Sequence, residues 1–209
     1  MINWTYEAAL NTSADLIKVA TDSKKIFNLF SNKNVVMTSS NHISGTDRVY
    51  EAVSKIGLKD NDVIINLQGD EPFINPKDIN NLFDLAAKEE VKMATLYSEL
   101  KSPSELKDLN IVKILIDNGT ATDFFRKTST KENVFIHQGI YAFKYKTLQS
   151  FVNWDPSANE KKYKLEQLRA LDNGITINAI KSISKIHLGV DTEDDLKKAN
   201  EIAKKNSHK

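Results

Sequence analysis

Cysteine is absent from the 209 residues, which excludes both a disulfide framework and a thiolate metal site. One domain of that length buries roughly 70% of its unfolded surface, so it needs neither device to hold a core. Glycine is scarce, and none of the seven lies in a Gly-rich phosphate cradle or a Gly-Lys-Ser/Thr string. An excess of one charge is also missing, because 29 Lys plus Arg oppose 28 Asp plus Glu for a net charge of +1. That balance argues against a nucleic-acid binder and against a polybasic membrane-surface protein. No apolar run approaches the roughly 18 residues of a membrane span. The opening Met1-Ile2-Asn3-Trp4 has neither the basic nor the apolar region of a secretory signal. The absences together suit a cytoplasmic protein, read as a single unit over 1–209 without repeat or linker.

Short β-branched runs alternate with amphipathic helical patterns, which predicts an α/β fold, a mostly parallel Rossmann-like sheet with flanking helices. Strands are expected at Leu16–Ala20, Val35–Thr38, Val63–Leu67, Met93–Tyr97, Val112–Ile116, Val134–Phe143 and Thr176–Ile180. Asp117-Asn118-Gly119 is a turn signal, so the residues after it form a small antiparallel excursion. Ser23 and Ser44 are expected helix caps, and Ile79, Leu82, Phe83 and Ala86 share one helical face. Leu165, Leu168 and Leu171 predict a helix stopped at Asn173-Gly174, and the last helix opens at Asp191-Thr192 with Asp195 completing a capping box. The first residues already read as a helix, with Ile2, Tyr6, Ala9 and Leu10 on one side. A doubly wound sheet ordinarily starts with a strand whose loop holds phosphate, and no such unit stands ahead of this helix.

Four stretches carry the chemistry. Asn66-Leu67-Gln68-Gly69-Asp70-Glu71-Pro72 puts polar side chains at the carboxyl end of an apolar strand, where open α/β sheets bind ligands. Asp70 offers hard oxygen suited to Mg²⁺, although an Asp-Glu-Pro turn is its plainer explanation. Asp191, in Gly189-Val190-Asp191-Thr192, is by itself a helix cap, yet two carboxylates at distant strand ends can meet around one cation. Thr38, Ser44, Gly45 and Arg48 belong to a small polar loop that feeds a helix, suited to a base or phosphate and equally to a surface turn. His137-Gln138-Gly139-Ile140-Tyr141 and Leu165-Glu166-Gln167-Leu168-Arg169 complete the set. A lone strand histidine is more often structural than catalytic, and neither a Ser-His-Asp pattern nor a His-rich metal spacing occurs.

In this order the strings Gln-Gly-Asp-Glu-Pro (68–72), His-x-Ser-Gly-Thr-Asp-Arg (42–48), Leu-Glu-Gln-Leu-Arg (165–169) and Gly-Val-Asp (189–191) resemble the 3-deoxy-manno-octulosonate (KDO) cytidylyltransferases, also called CMP-KDO synthetases. Val19–Asp22 and Asn110–Lys113 extend the resemblance along nearly the whole chain. It implies transfer of CMP from CTP to the sugar acid KDO, with Asp70 and Asp191 as the catalytic, Mg²⁺-holding pair. It further implies that Thr38, Ser44, Gly45, Arg48 and Gln68 line the cytidine side. Arg126, His137, Tyr141, Glu166 and Gln167 then contact the sugar acid, Arg126 pairing with its carboxylate. A homodimer and a product used in lipopolysaccharide synthesis are also implied. Asp123-Phe124-Phe125-Arg126 departs from the family's Phe-Ser-Arg string. The family's opening strand and Arg/Lys triphosphate loop have no counterpart in 1–209, so a chain shortened at its start is expected. The same strings suit a transferase for 8-amino-KDO, or a non-catalytic nucleotide-binding remnant.

Overall fold

The apolar runs become strands, and their partners are settled by which faces can be buried together. The computed structural model describes residues 1–128, 132–184 and 189–206. His187 and His208, to which the sequence gives no role, lie outside them. The order is α1 (Ile2–Leu10), β1 (Val19–Thr21), α2 (Lys24–Phe27), β2 (Val35–Met37), α3 (Gly45–Val53), β3 (Val63–Asn66), α4 (Pro76–Ala87) and β4 (Met93–Ser98). It continues with β5 (Lys113–Asp117), β6 (Thr120–Phe125), β7 (Val134–Lys144), α5 (Tyr145–Asn153), α6 (Ala158–Tyr163), α7 (Leu168–Asp172), β8 (Ile177–Lys181) and α8 (Glu193–Asn206).

β1 and β2 form a parallel pair, and the other six strands form a sheet in the order β3-β7-β4-β8-β6-β5. Because β5 also pairs with β7, the strands β7, β4, β8, β6 and β5 close into a ring. The mixed α/β fold expected from the alternation is present, with helices flanking the sheet. Its hydrogen-bonded pairs are mostly antiparallel, however, with β4–β8 the parallel exception within the six. The eleven-residue β7 enters between β3 and β4, antiparallel to both, so these two keep the same direction without touching as partners. Hydropathy marks a segment as a strand but does not name its neighbour. The expected excursion is the β5–β6 hairpin, whose two turn residues Asn118 (φ 46°) and Gly119 (φ 77°) have the positive φ of a type I′ turn. β1 pairs only with β2 and β3 only with β7 among the described residues, and α3 packs against both.

Two helices differ instructively from their expected faces. On α4 the buried residues are Asp78, Ile79, Leu82 and Ala86, while Phe83 is 38% exposed. The buried face is rotated toward Asp78, whose carboxylate accepts from the Ser182 and Ser184 hydroxyls and from Ile183 N at 2.8 Å. On α1 the buried residue is Thr5, donating to Gly69 O at 3.1 Å, and Leu10 lies exposed. The helix is thus fixed to the polar turn after β3, with Ile2 of the predicted apolar side packed over Gly69 and the Tyr6 ring 4.9 Å from that of Phe30. Among the described residues no helix is long and apolar enough to cross a membrane.

The leucine pattern at 165–171 also resolves differently. Lys164 takes a left-handed conformation (φ 55°), residues 165–167 turn, and the helix begins only at Leu168; Gly174 (φ 73°) ends it as expected. Arg169 anchors this segment. Its Nε and Nη2 donate to Glu160 at 2.7 and 2.6 Å, and the guanidinium stacks 4.6 Å over the Phe151 ring. Glu160 is held in turn by the Ser157 capping box, so the pair is preorganised from both sides. Removing one partner of such a pair strands the other. Arg169→Met is expected to lower stability by about 3 kcal/mol in urea unfolding; a loss below about 1 kcal/mol contradicts this account.

Candidate active site

The carboxyl end of β3 is where the apolar sequence stops and polar groups must find partners. Asn66 is 1% exposed, and its Nδ2 donates to Thr46 Oγ1 at 3.0 Å. Gln68 Nε2 donates to Asn66 Oδ1 at 3.0 Å. A Cβ on Gly45 would stand 2.9 Å from Gln68 Nε2, so the Gln68 amide closes directly on the start of α3. Ser44 caps that helix, accepting from Asp47 N at 3.2 Å. Arg48, one turn along, donates from Nη1 to Thr38 Oγ1 at 2.7 Å and from Nη2 to Asp22 Oδ2 at 2.9 Å. The loop between is pinned by Glu51, which contacts His42 and accepts from Ser39 N at 2.9 Å. Thr38, Ser44, Gly45, Arg48 and Gln68 therefore share one small region, joined Thr38 to Arg48 and Gly45 to Gln68.

Beside it lie the residues expected on the sugar side. Glu166 and Gln167 occupy the turn before α7 rather than a helix face, and Gln167 is buried at its N-cap position. Burial raises the Glu166 carboxyl above its usual range, with the nearby Ser44 and Thr46 hydroxyls opposing, and Oε1 has no hydrogen-bond partner. Tyr141 is close enough that its phenol, raised chiefly by burial, is raised further by the Glu166 charge. The His137 ring lies 5.4 Å from the Tyr141 ring and 5.0 Å from that of Phe124. Thr95 Oγ1 donates to Ile140 O at 2.8 Å and stands 3.0 Å from His137 Nε2; this network assigns the imidazole proton to Nε2. Arg126 is engaged elsewhere, donating to Leu109 O and Asn110 O at 3.1 and 3.3 Å. Its own carbonyl accepts at 2.8 Å from Lys113, a fully buried lysine that also donates to the Asp108 and Ile111 carbonyls.

Asp70 and Asp191, 121 positions apart in sequence, come together. Val190 N donates to Asp70 O at 2.9 Å, which ties the turn after β3 to the strand-to-helix turn before α8. Burial raises the Asp70 carboxyl, and the Asp191 charge raises it further. Glu71 is pushed up to about 7, first by burial and then by Asp70 and Asp191. Among the described residues none of the three acids forms an ion pair, and no three His, Cys, Asp or Glu converge as a complete metal cage. Two mutually repelling carboxylates without a cationic partner are a donor set that fits Mg²⁺, which commonly takes one or two carboxylates and completes its shell with phosphate and water.

Thr46, Asn66, Glu71 and Thr95 were not singled out from the sequence as site residues. A polar residue ending the apolar run of β3 is a signal for Asn66, whereas nothing local marks Thr95 or Lys113. The burial of His137 generates a test. Its imidazole is lowered to about 3 by burial, against an ordinary value of 6.5. Between those values the unfolded chain binds a proton that the folded chain refuses, so stability is full above the ordinary value and falls on acidification. The slope approaches about 1.4 kcal/mol per pH unit for this group. His137→Gln is expected to flatten the stability profile between pH 6 and 4 by about that slope; an unchanged profile contradicts burial as a neutral ring.

A family model described as Cytidylyltransferase matches residues 1–183. The 3-deoxy-manno-octulosonate cytidylyltransferase of Photobacterium profundum is 38% identical over 95% of this chain and 86% of its own length. That of Coxiella burnetii is 37% identical over 95% of this chain and 87% of its own. A solved CMP:2-keto-3-deoxy-manno-octonic acid synthetase in complex with CTP superposes with a TM-score of 0.89 at 30% identity, covering 98% of this chain and 88% of that one. The Francisella tularensis 2-C-methyl-D-erythritol 4-phosphate cytidylyltransferase, at 16% identity and TM-score 0.65, shares the fold. With the family model spanning residues 1–183 and the relatives covering 95% of the sequence, the chain belongs to the cytidylyltransferases, within the 3-deoxy-manno-octulosonate group.

Proposed function

We propose that this chain transfers CMP from CTP to the anomeric hydroxyl of KDO. The hydroxyl oxygen attacks the α-phosphorus and loses its proton, the α–β phosphoanhydride bond breaks, and pyrophosphate leaves. The observation that carries the reading is the meeting of the Asp70 turn with the Asp191 turn, next to the Gln68–Gly45 contact at the start of α3. Asp70 and Asp191 would hold Mg²⁺, which supplies charge neutralisation at the phosphates. Thr38, Ser44, Gly45, Arg48 and Gln68 would orient the cytidine. Arg48 keeps Thr38 in place through its 2.7 Å bond, and the Gln68 amide is set by Asn66.

On the acceptor side Glu166 offers a buried oxygen without a partner, suited to a sugar hydroxyl. His137 is neutral and its Nε2 is committed to Thr95, so its contribution is orientation rather than proton transfer. Tyr141, near enough to feel the Glu166 charge, and Gln167 beside Glu166 would complete the acceptor side, and Arg126 would receive the sugar carboxylate after releasing the 109–110 carbonyls. The family resemblance carries a homodimer, a cytoplasmic location and a product destined for lipopolysaccharide into the proposal.

In a coupled pyrophosphate-release assay with CTP, Mg²⁺ and KDO, Asp70→Ala and Asp191→Ala are each expected to lower kcat by about 10²–10³-fold. Retention of most activity in either overturns that ligand assignment. Gln68→Ala is expected to weaken CTP binding about tenfold in calorimetric titration without changing the fold. CTP binding by the unsubstituted chain without turnover on KDO, and turnover on 8-amino-KDO instead, would each redirect the reading.

A further inference from the structure

Glu71 stands beside the proposed ligand pair, yet the reaction as derived gives it no task. Its side chain makes no hydrogen bond or ion pair among the described residues, and it is held against its own charge by burial and by two neighbouring acids. Its contact is with backbone. A Cβ built on Gly189 would lie 3.1 Å from Glu71 Oε1 and 3.7 Å from its Cδ, so any side chain at 189 would press on the carboxyl group and make it give by a few tenths of an ångström. The demand on residue 189 is one of space, because a side chain there would have to share it with the Glu71 carboxyl.

The next two residues explain why that space matters. Val190 N donates to Asp70 O at 2.9 Å, and Asp191 follows immediately. The turn before α8 thus meets the turn after β3 twice, once by a backbone hydrogen bond at Asp70 and once by the Glu71 carboxyl against Gly189. One hydrogen bond leaves a hinge about its own axis; the second contact removes that freedom. We propose that Glu71 and Gly189 form a packing strut that fixes the spacing of Asp70 and Asp191, making both of them positioning residues. Shape is what the strut requires, so a neutral side chain of the same form serves. The inference rests on Asp70 and Asp191 being the cation ligands, and its consequences for the backbone do not.

Two readouts on the whole chain test it. The first is hydrogen exchange of the Val190 amide, followed by NMR without metal or nucleotide. Gly189→Ala and Glu71→Ala are each expected to speed this exchange about tenfold, and Glu71→Gln to leave it unchanged. The second is Mn²⁺ titration followed by loss of the free-ion resonance signal. Gly189→Ala is expected to weaken the affinity about tenfold, in the range of outer-sphere support to metal ligands. Glu71→Ala combined with Gly189→Ala is expected to recover part of the loss, because the added methyl then has room. Unchanged Val190 exchange in both alanine variants, or strictly additive effects in the double variant, overturns the strut. If Asp70→Ala leaves Mn²⁺ affinity untouched while exchange at Val190 responds as expected, the ligand assignment fails and the strut stands.

Discussion

The polar end of β3 is the constraint from which the site follows. Asn66 is buried in a strand whose other residues face the core, and a buried amide without partners costs several kcal/mol in an apolar surrounding. Thr46 and Gln68 supply those partners, and in doing so they draw the first turn of α3 against the end of the strand. Gly45 is the residue that lets the Gln68 amide approach so closely. A requirement of burial thereby becomes a geometry, in which a helix start, a strand end and the Glu166 turn share one edge.

Across from that junction the molecule tolerates an arrangement that opposes its stability. Asp70, Glu71 and Asp191 each raise or are raised by the others, and no lysine or arginine among the described residues relieves them. Elsewhere charges are matched with care: Arg169 meets Glu160 with two hydrogen bonds, and Lys113 is buried only with three carbonyls around its ammonium group. Uncompensated acids in a fold that otherwise pairs its buried charges are the mark of a place where a cation is expected from outside.

Kinship shows the family, and geometry shows which side chains of this chain meet. Relatives with 37–38% identity over 95% of the chain share the family, while the contacts of Gly45 with Gln68 and of Val190 with Asp70 are properties of this chain's own packing. Arg126 is the candidate whose side chain is engaged away from the others. Its guanidinium donates to the carbonyls of residues 109 and 110, and the string around it departs from the family's.

Local signals in the sequence settled what is local. The Asn118-Gly119 turn, the Ser23, Ser44 and Thr192 caps and the stop at Gly174 all formed as read, because each depends on residues within three or four positions. The strings around Asp70, Asp191 and Glu166 were also legible, being contiguous. Tertiary structure decided the rest. It placed β7 between β3 and β4, turned α4 toward Asp78 at the expense of Phe83, and started α7 three residues after Leu165. It alone brought Glu71 to Gly189 and Thr95 to His137. Turn and cap preferences act through a few neighbouring backbone groups, whereas burial is shared among segments far apart in the chain, and only the assembled fold shows which of them share it.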